Sequence, residues 1–316
     1  MITVAPRREF QTFHDFPLCL DLDKLKADVA ILGIPYGAAY SVEEISNDQI
    51  NAPTHIRRYC ERALRGLDRW DFDIGGTLLD GRAIRVADCG DIIGDPADPA
   101  AQRRRAELAV RKILAAGALP IILGGDHSTP IPVFRAYEGR GPIILVQVDA
   151  HIDWRDEMNG VREGLSSPIR RASEMEHFDE IFQIGLRAAG SARTEEVEAA
   201  LAWGAVLIPD IELQQIGMDA VLARIPDGRQ YYLTIDADGM DPTIMPAVAG
   251  PAPGGVTFDQ IRTLIHGLIA KGRVVGMDIV EITPKRDVNG ITAITAGRLI
   301  VNLIGRAVRA GYFGND

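Results

Sequence analysis

Short apolar runs, each closed by a turn signal, recur along the whole chain, and several are apolar at every position. Runs without polar alternation are typical of parallel strands that are covered on both faces. A strand alternating with polar positions would instead have one face in water. The predicted strands are residues 28–33, 83–88, 119–123, 142–148, 181–184, 205–208, 231–235 and 274–280.

Segments with helical spacing lie between these runs, and their apolar stripes are expected to face the core. The alternation of strand and helix predicts a mostly parallel sheet of about eight strands with helices on both faces. It also fits a closed (β/α) barrel, and both architectures place a ligand site at the carboxyl ends of the strands. The predicted helices are residues 54–67, 101–116, 130–137, 194–203, 257–271 and 293–310.

Nothing in the composition divides the chain. Its 316 residues contain no linker rich in Pro, Gly or Ser and no shift in composition. We therefore expect one domain over residues 1–316, with residues 1–27 as an N-terminal extension before the first strand. The formal net charge of −10 and the lack of a basic patch argue against nucleic acid as a partner. A small cationic substrate is compatible with that charge.

The three cysteines, Cys19, Cys60 and Cys89, are scattered, which suits reduced thiols rather than a disulfide framework. The amino terminus lacks the long apolar segment of a signal peptide, and no later run is expected to reach the length of a membrane span. The sequence therefore predicts a cytoplasmic protein with no membrane partner.

Side chains that can bind a metal follow three of the predicted strands. The period-two spacing within two of these groups aims their side chains in the same direction. Two imidazoles and four carboxylates exceed what one ion needs, whereas two divalent ions would use them all and balance four negative charges. The sequence therefore predicts a two-metal centre. Its candidate ligands are His127, Asp149, His151, Asp153, Asp236 and Asp238.

The type of ligand narrows the choice of metal. An oxygen-rich set with two imidazoles and no thiolate favours manganese, with nickel as the alternative, over structural zinc. The expected cofactor is therefore two Mn²⁺ ions, or two Ni²⁺ ions in their place.

Together with four further segments, these motifs resemble the ureohydrolase family, which comprises arginases, agmatinases and guanidino-acid hydrolases. The resemblance covers nearly the whole chain and implies an open three-layer α/β/α sandwich rather than a barrel. It also implies assembly into a homo-oligomer, commonly a trimer or hexamer. The further segments are Gly33–Gly37, Asp88–Asp91, Gln183–Arg187 and Asp278–Pro284.

The same resemblance implies how the two ions are held. One ion would be bound by His127, Asp149, Asp153 and Asp236, and the other by Asp149, His151, Asp236 and Asp238. Asp149 and Asp236 would then bridge the two ions.

Two residues are candidates for contact with the substrate. Glu281 ends the last predicted strand and matches the family's glutamate that pairs with a guanidinium, a contact made through two parallel charge-assisted hydrogen bonds. Without the metal motifs, a strand-end salt bridge would be its simpler interpretation. Trp154 is predicted to wall the pocket and stack on a planar cation, and ordinary core packing is the alternative.

The chain departs from the family pattern in the loop after Asp153. Family members commonly carry a histidine about ten positions further on, followed by glycine, where it helps to pass a proton to the departing amine; Glu163-Gly164 stands here. Glu163 is a candidate acid/base group if its pKa is raised, or a ligand of the substrate.

The expected activity is hydrolysis of an agmatine-like guanidino compound to urea and an amine. Guanidine, a guanidino acid or a biguanide is the alternative substrate, and hydrolysis of a formimino group is a related reaction. Because Glu163 stands in place of the usual histidine, the chain is alternatively a non-catalytic subunit that pairs with an active homologue.

Overall fold

Eight strands form a single sheet in the computed structural model, which describes residues 11–37, 40, 48–94, 98–189 and 192–314. The strands are β1 (Val29–Gly33), β2 (Val86–Asp91), β3 (Leu119–Leu123), β4 (Ile143–Val148), β5 (Phe178–Leu186), β6 (Val206–Pro209), β7 (Gln230–Asp236) and β8 (Arg273–Val280). Their order is β2-β1-β3-β8-β7-β4-β5-β6, and every neighbouring pair is parallel.

Helices cover both faces of this sheet, because side chains alternate between the faces along each strand. In β4, Val146 belongs to one apolar cluster and Leu145 to the other. Helices α1 and α6–α9 pack in the first cluster, and α2–α5 pack in the second. The helices are α1 (Ala52–Ala63), α2 (Pro99–Ala115), α3 (Pro130–Arg135), α4 (Pro168–Ala172), α5 (Thr194–Trp203), α6 (Asp210–Ile216), α7 (Met218–Arg224), α8 (Phe258–Lys271) and α9 (Ile291–Arg309). The predicted three-layer sandwich is confirmed.

The boundaries differ from the prediction in a few places. Strand β2 continues to Asp91, and β5 begins at Phe178 rather than at residue 181. Helices α4, α6 and α7 have no predicted counterpart. They have only five to seven residues each, and Gly217, with φ at +77°, separates α6 from α7. Segments this short do not complete a recognisable helical period.

Helix α9 corrects one expectation from the sequence. With 19 residues it is long and apolar enough to cross a membrane, although no segment of that kind was predicted. Most of it is buried within the protein, where Leu299 and Leu303 pack in the same cluster as β4. Its apolar character is accounted for by its place in the core.

The strand order determines where the candidate ligand residues lie in the fold. Strands β3, β8, β7 and β4 are consecutive neighbours at the centre of the sheet, and all point the same way. Residues that follow these four strands therefore meet at one edge, the carboxyl edge, where parallel sheets bind ligands.

Candidate metal centre

His127, in the loop after β3, points one ring nitrogen at three carboxylates. Its Nδ1 lies 3.1 Å from Asp149 Oδ2, 2.8 Å from Asp153 Oδ2 and 3.0 Å from Asp236 Oδ2. The imidazole is 1% exposed and Asp149 is fully buried. Four groups from three strands thus surround one small volume.

His151 forms a second cluster that shares Asp149 with the first. Its Nδ1 lies 3.5 Å from Asp149 Oδ1 and 3.1 Å from Asp238 Oδ2. Asp236 lies next to the cluster around His151: its Oδ1 accepts a hydrogen bond from the backbone N–H of Asp238 at 2.8 Å. The structure therefore brings all six predicted ligands together. Five of them form two groups with a common carboxylate, His127–Asp149–Asp236 and Asp149–His151–Asp238, and in each group the ligand atoms lie within 4.8 Å of one another. The sixth, Asp153, joins the first group through its contact with His127.

The other nitrogen of His127 shows which ring atom is free for a metal. His127 Nε2 lies 3.3 Å from Thr234 Oγ1, and that hydroxyl donates its one hydrogen to Asp278 at 2.7 Å. Thr234 can then only accept from an Nε2–H, which leaves a lone pair on Nδ1 of the neutral ring. A lone pair facing three carboxylate oxygens fits a bound cation, and Nδ1 is a buried atom without a hydrogen-bond partner.

The charges of the site also fit cations. Burial, with the neighbouring charges of Asp238 and Asp149, raises the pKa of Asp236 well above its usual range. Burial and the charge of Asp149 raise the pKa of Asp153 to about 6. Hydrogen bonds from His151 to Asp149 and Asp238 raise the pKa of that imidazole to about 12. Crowded carboxylates thus draw positive charge to this volume, and divalent ions would supply it.

The side-chain amides of Gln147 and Gln183 hold the carboxylate of Asp149 through a chain of hydrogen bonds. Gln147 donates from Nε2 to Asp149 Oδ2 at 2.6 Å, and Gln183 donates to Gln147 Oε1 at 2.5 Å and to Ile152 O at 2.7 Å. All three polar side chains are fully buried. Such support restricts the orientation of a metal ligand.

Glu281 lies beside His127 with both oxygens oriented. Its Oε1 accepts the backbone N–H of His127 at 2.8 Å, and its Oε2 accepts Nε2 of Gln49 at 3.0 Å. Burial, followed by the charge of Asp126, raises the pKa of this carboxyl to about 8. Because burial disfavours the charged form of this carboxyl, a cationic group placed against it would favour the anion and be held by it.

Two of these residues have a left-handed backbone that side chains other than glycine rarely adopt. The φ angle is +48° at Asp153 and +65° at Glu281. Each such position costs roughly 1–3 kcal/mol and persists where the surrounding structure holds it. Of the nine non-glycine residues with positive φ in the described part of the chain, these two belong to the candidate functional residues.

Glu163 is held by two arginines on neighbouring helices. Its Oε2 lies 2.8 Å from Arg103 Nε, and its Oε1 pairs with Arg135 Nη2. Arg103 also donates to the hydroxyl of Tyr36 at 2.5 Å. These contacts tie the loop after Asp153 to α2 and α3, and they give Glu163 the surroundings of a structural ion pair.

Trp154 lies in the core rather than in a pocket wall. Its side chain is 2% exposed and meets the edge of Trp203 with ring centroids 6.1 Å apart. The expectation that it stacks on a substrate cation is therefore corrected to core packing, the alternative that the sequence left open.

The sequence did not reveal every residue of the site. Gln147 and Thr234 stand within apolar strands, and a buried polar residue there is a detectable signal. Gln49 lies in no recognisable motif, so only the structure shows its contact with Glu281.

Known proteins of similar sequence and structure share this arrangement of strands, and they identify the family. Residues 27–305 match the arginase family. The chain is 35% identical to guanidinopropionase of Pseudomonas aeruginosa over 228 residues, which cover 70% of this chain and 71% of the relative. It is 32% identical to guanidinobutyrase of the same organism over 290 residues, or 90% of this chain and 87% of the relative. The structure of agmatine ureohydrolase from Thermoplasma volcanium aligns with a TM-score of 0.78 and 29% identity, and covers 95% of each chain.

Proposed function

The chain belongs to the arginase family and is a metal-dependent amidinohydrolase, and from that premise we propose that it hydrolyses a guanidino compound to urea and an amine at a centre of two divalent ions. In this reaction water supplies the oxygen of urea, and the bond from the guanidino carbon to the substituted nitrogen breaks. One observation carries the proposal: Nδ1 of His127 faces three carboxylates, and Glu281 lies beside it.

We assign one ion to each group, with Asp149 and Asp236 as ligands of both ions. His127, Asp149, Asp153 and Asp236 would hold the first ion, and Asp149, His151, Asp236 and Asp238 the second. Bound divalent ions make water acidic enough to act as a nucleophile near neutral pH. Two Mn²⁺ ions are our first choice because the ligands are mostly oxygen, and Ni²⁺ is the alternative.

Glu281 would orient the substrate. Each carboxylate oxygen can accept more than one hydrogen bond, so both oxygens can receive a guanidinium while they keep Gln49 and the N–H of His127. Because these two donors fix the plane of the carboxylate in advance, the guanidino carbon would be held in one orientation beside the metal ligands.

For the substrate we propose an agmatine-like compound first. The acidic composition of the chain, with a net charge of −10, is compatible with a cationic substrate. Relatives named guanidinopropionase and guanidinobutyrase make a guanidino acid the nearest alternative, followed by guanidine or a biguanide.

The test uses the purified chain loaded with Mn²⁺ or with Ni²⁺. Agmatine, guanidinobutyrate, guanidinopropionate, guanidine and a biguanide are each supplied, and the released amine and urea are measured. Asp149→Ala is the control that removes the shared ligand. Turnover by the wild type but not by Asp149→Ala supports the proposal, and the ranking of kcat/KM among the compounds identifies the substrate class.

A second candidate function is that of a non-catalytic subunit. The observation that favours it is Glu163, which replaces the usual histidine and is paired with Arg103 and Arg135. Six intact ligand candidates argue against it. If the chain alone turns over none of the substrates, but co-purifies with an active homologue and raises the turnover of that homologue, this second candidate takes the place of the first.

We also propose a cytoplasmic homo-oligomer, a trimer or hexamer, with a hetero-oligomer that contains a homologous subunit as the alternative. Exposed apolar side chains support an interface: Trp70 is 64% exposed and Phe72 is 91% exposed. Light scattering coupled to gel filtration measures the mass of the assembly. A monomeric mass would contradict this part of the proposal.

A further inference from the structure

Arg187, in the loop after β5, directs all three nitrogens of its guanidinium at backbone carbonyl oxygens. Six carbonyls compete for five N–H groups, so the side chain is fully engaged. The carbonyls are those of Asp238 (2.6 Å), Ala252 (3.0 Å), Gly185 (3.2 Å), Gly239 (3.2 Å), Pro253 (3.2 Å) and Met240 (3.3 Å).

These contacts connect the two chain segments that carry the candidate ligands of the second ion. Three of the carbonyls belong to residues 238–240, which include Asp238 itself. The backbone N–H of Arg187 donates to Ala150 O at 3.1 Å, and Ala150 stands between Asp149 and His151. One residue thus holds the loop after β7 against the loop after β4.

The loops after β4 and β7 are in close backbone contact at Gly239. A Cβ atom added at Gly239 would lie 2.6 Å from the Cα of Asp149, which is too close for any side chain. The backbone N–H of Ala150 donates to Asp238 Oδ1 at 3.3 Å. The distance between Asp238 and His151 therefore depends on how these two backbones are held.

A role for Arg187 in binding a substrate carboxylate fits the geometry less well. Arg187 and His151 both line a cavity of about 660 Å³, and among the lining residues that the structure describes Arg187 is the only arginine or lysine. The two relatives named for guanidino acids make such a role a natural expectation. The six carbonyls, however, already occupy the donors that a carboxylate would need.

We propose that Arg187 is a positioning residue of the metal centre, which holds the backbone of residues 238–240 so that the carboxylate of Asp238 faces His151 and completes the second ion site. This inference rests on the proposed two-metal function. It assigns the effect of Arg187 to one ion of the pair, because its contacts reach the loop of Asp238 and not the loop of His127.

The test compares Arg187→Lys and Arg187→Met with wild type in titrations with Mn²⁺. Arg229→Lys is the matched control, since Arg229 precedes β7 at the opposite end of the same strand and pairs with Asp179 and Glu180. We expect both Arg187 variants to keep the first ion and to bind the second about tenfold to a hundredfold more weakly. Excess Mn²⁺ should restore kcat, and Arg229→Lys should match wild type.

A double variant separates positioning from general structural support. If Arg187 acts through Asp238, then adding Arg187→Lys to Asp238→Asn should weaken metal binding no further, because the ligand that it positions is already lost. Additive losses in the double variant would overturn the inference.

Four other results would also overturn it. Normal binding of both ions with a raised KM for guanidinobutyrate alone would make Arg187 a substrate-binding residue. Equal loss of both ions, or failure of both single variants to fold, would make its role a general structural one. Normal metal binding and normal kinetics would leave it without a role at the site. The proposed function is judged separately, by whether wild type binds two ions and releases an amine.

Discussion

Gln49 and Glu281 are 232 positions apart in the chain, yet the side-chain amide of Gln49 donates a hydrogen bond to Oε2 of Glu281 at 3.0 Å. The backbone N–H of His127 holds the other oxygen at 2.8 Å. The carboxylate is thus fixed by one donor from the loop of a candidate metal ligand and by one from a distant segment. Its orientation and the metal centre are parts of one arrangement.

Replacing Glu281 with Gln should remove the charge that pairs with a guanidinium while keeping the size of the side chain. We expect kcat/KM to fall by about two orders of magnitude or more, because a charge-assisted contact in a site shielded from water is lost. Bound metal, measured per chain after dialysis, should remain at the wild-type value. Unchanged turnover would assign Glu281 to structure alone.

Gln49→Ala should have a smaller effect, since it removes one neutral donor from an oriented carboxylate. We expect about a tenfold loss in kcat/KM, the scale of one net hydrogen bond. Gln49→Glu should be worse than Gln49→Ala, because it would place a second carboxylate beside Glu281. If Gln49→Glu is as active as wild type, the contact does not orient Glu281.

Asp149→Ala should strip the metal centre more severely than Asp238→Ala. Asp149 contacts both imidazoles, at 3.1 Å from His127 and 3.5 Å from His151, whereas Asp238 contacts only the ring of His151. Elemental analysis after dialysis should find almost no metal in the first variant and one ion per chain in the second. Retention of two ions by Asp149→Ala would contradict the bridging assignment.

Thr234→Val should weaken binding of the first ion while keeping the shape of the side chain. The hydroxyl accepts from Nε2 of His127 and donates to Asp278, so its loss frees the ring to change tautomer and leaves two buried polar groups without their partner. We expect affinity for that ion to fall about tenfold to a hundredfold and stability to fall by about 1–3 kcal/mol. Metal titration and chemical denaturation measure the two effects, and normal affinity would show that Nδ1 is oriented by other means.

The sequence predicted the sheet well for a physical reason. Buried parallel strands are apolar on both faces, so segments such as Leu119–Leu123 stand out as unbroken runs. The ligand clusters could be found because they directly follow those runs. Period-two spacing then brings Asp149 and His151 to one site without any knowledge of long-range contacts.

What the sequence could not predict depends on contacts between distant elements. The partners of Glu163 lie on α2 and α3, about 30 to 60 positions earlier in the chain, and no local pattern indicates them. The same holds for Gln49 and for the carbonyls around Arg187. Trp154 was misjudged because an aromatic residue next to a ligand has the same local sequence whether it faces the pocket or the core.

Glu163→Gln gives the decisive measurement on the loop after Asp153. Because Glu163 pairs with Arg103 and Arg135, we expect the variant to lose these two partly exposed ion pairs and nothing else. Stability should fall by at most about 1 kcal/mol, metal content should stay normal, and the pH-rate profile should keep its shape. Arg135→Gln breaks one of these two ion pairs from the other side and should give an equal or smaller stability loss.

Two results would contradict this expectation, and they differ in kind. A strong fall in kcat with one limb of the pH-rate profile flattened would identify Glu163 as a proton carrier, because only an ionising group contributes that limb. A raised KM for agmatine, with no change for guanidinobutyrate and an unchanged profile, would identify it as a ligand of the substrate's cationic end. Arg135→Gln is the control for both results, since it disturbs the ion pair but leaves the carboxyl in place. If wild type and Glu163→Gln both fail to release an amine from any guanidino substrate with Mn²⁺ or Ni²⁺, the chain is not an autonomous enzyme. The absence of the usual histidine at Glu163 would then support the non-catalytic subunit, and the chain should be tested together with an active homologue.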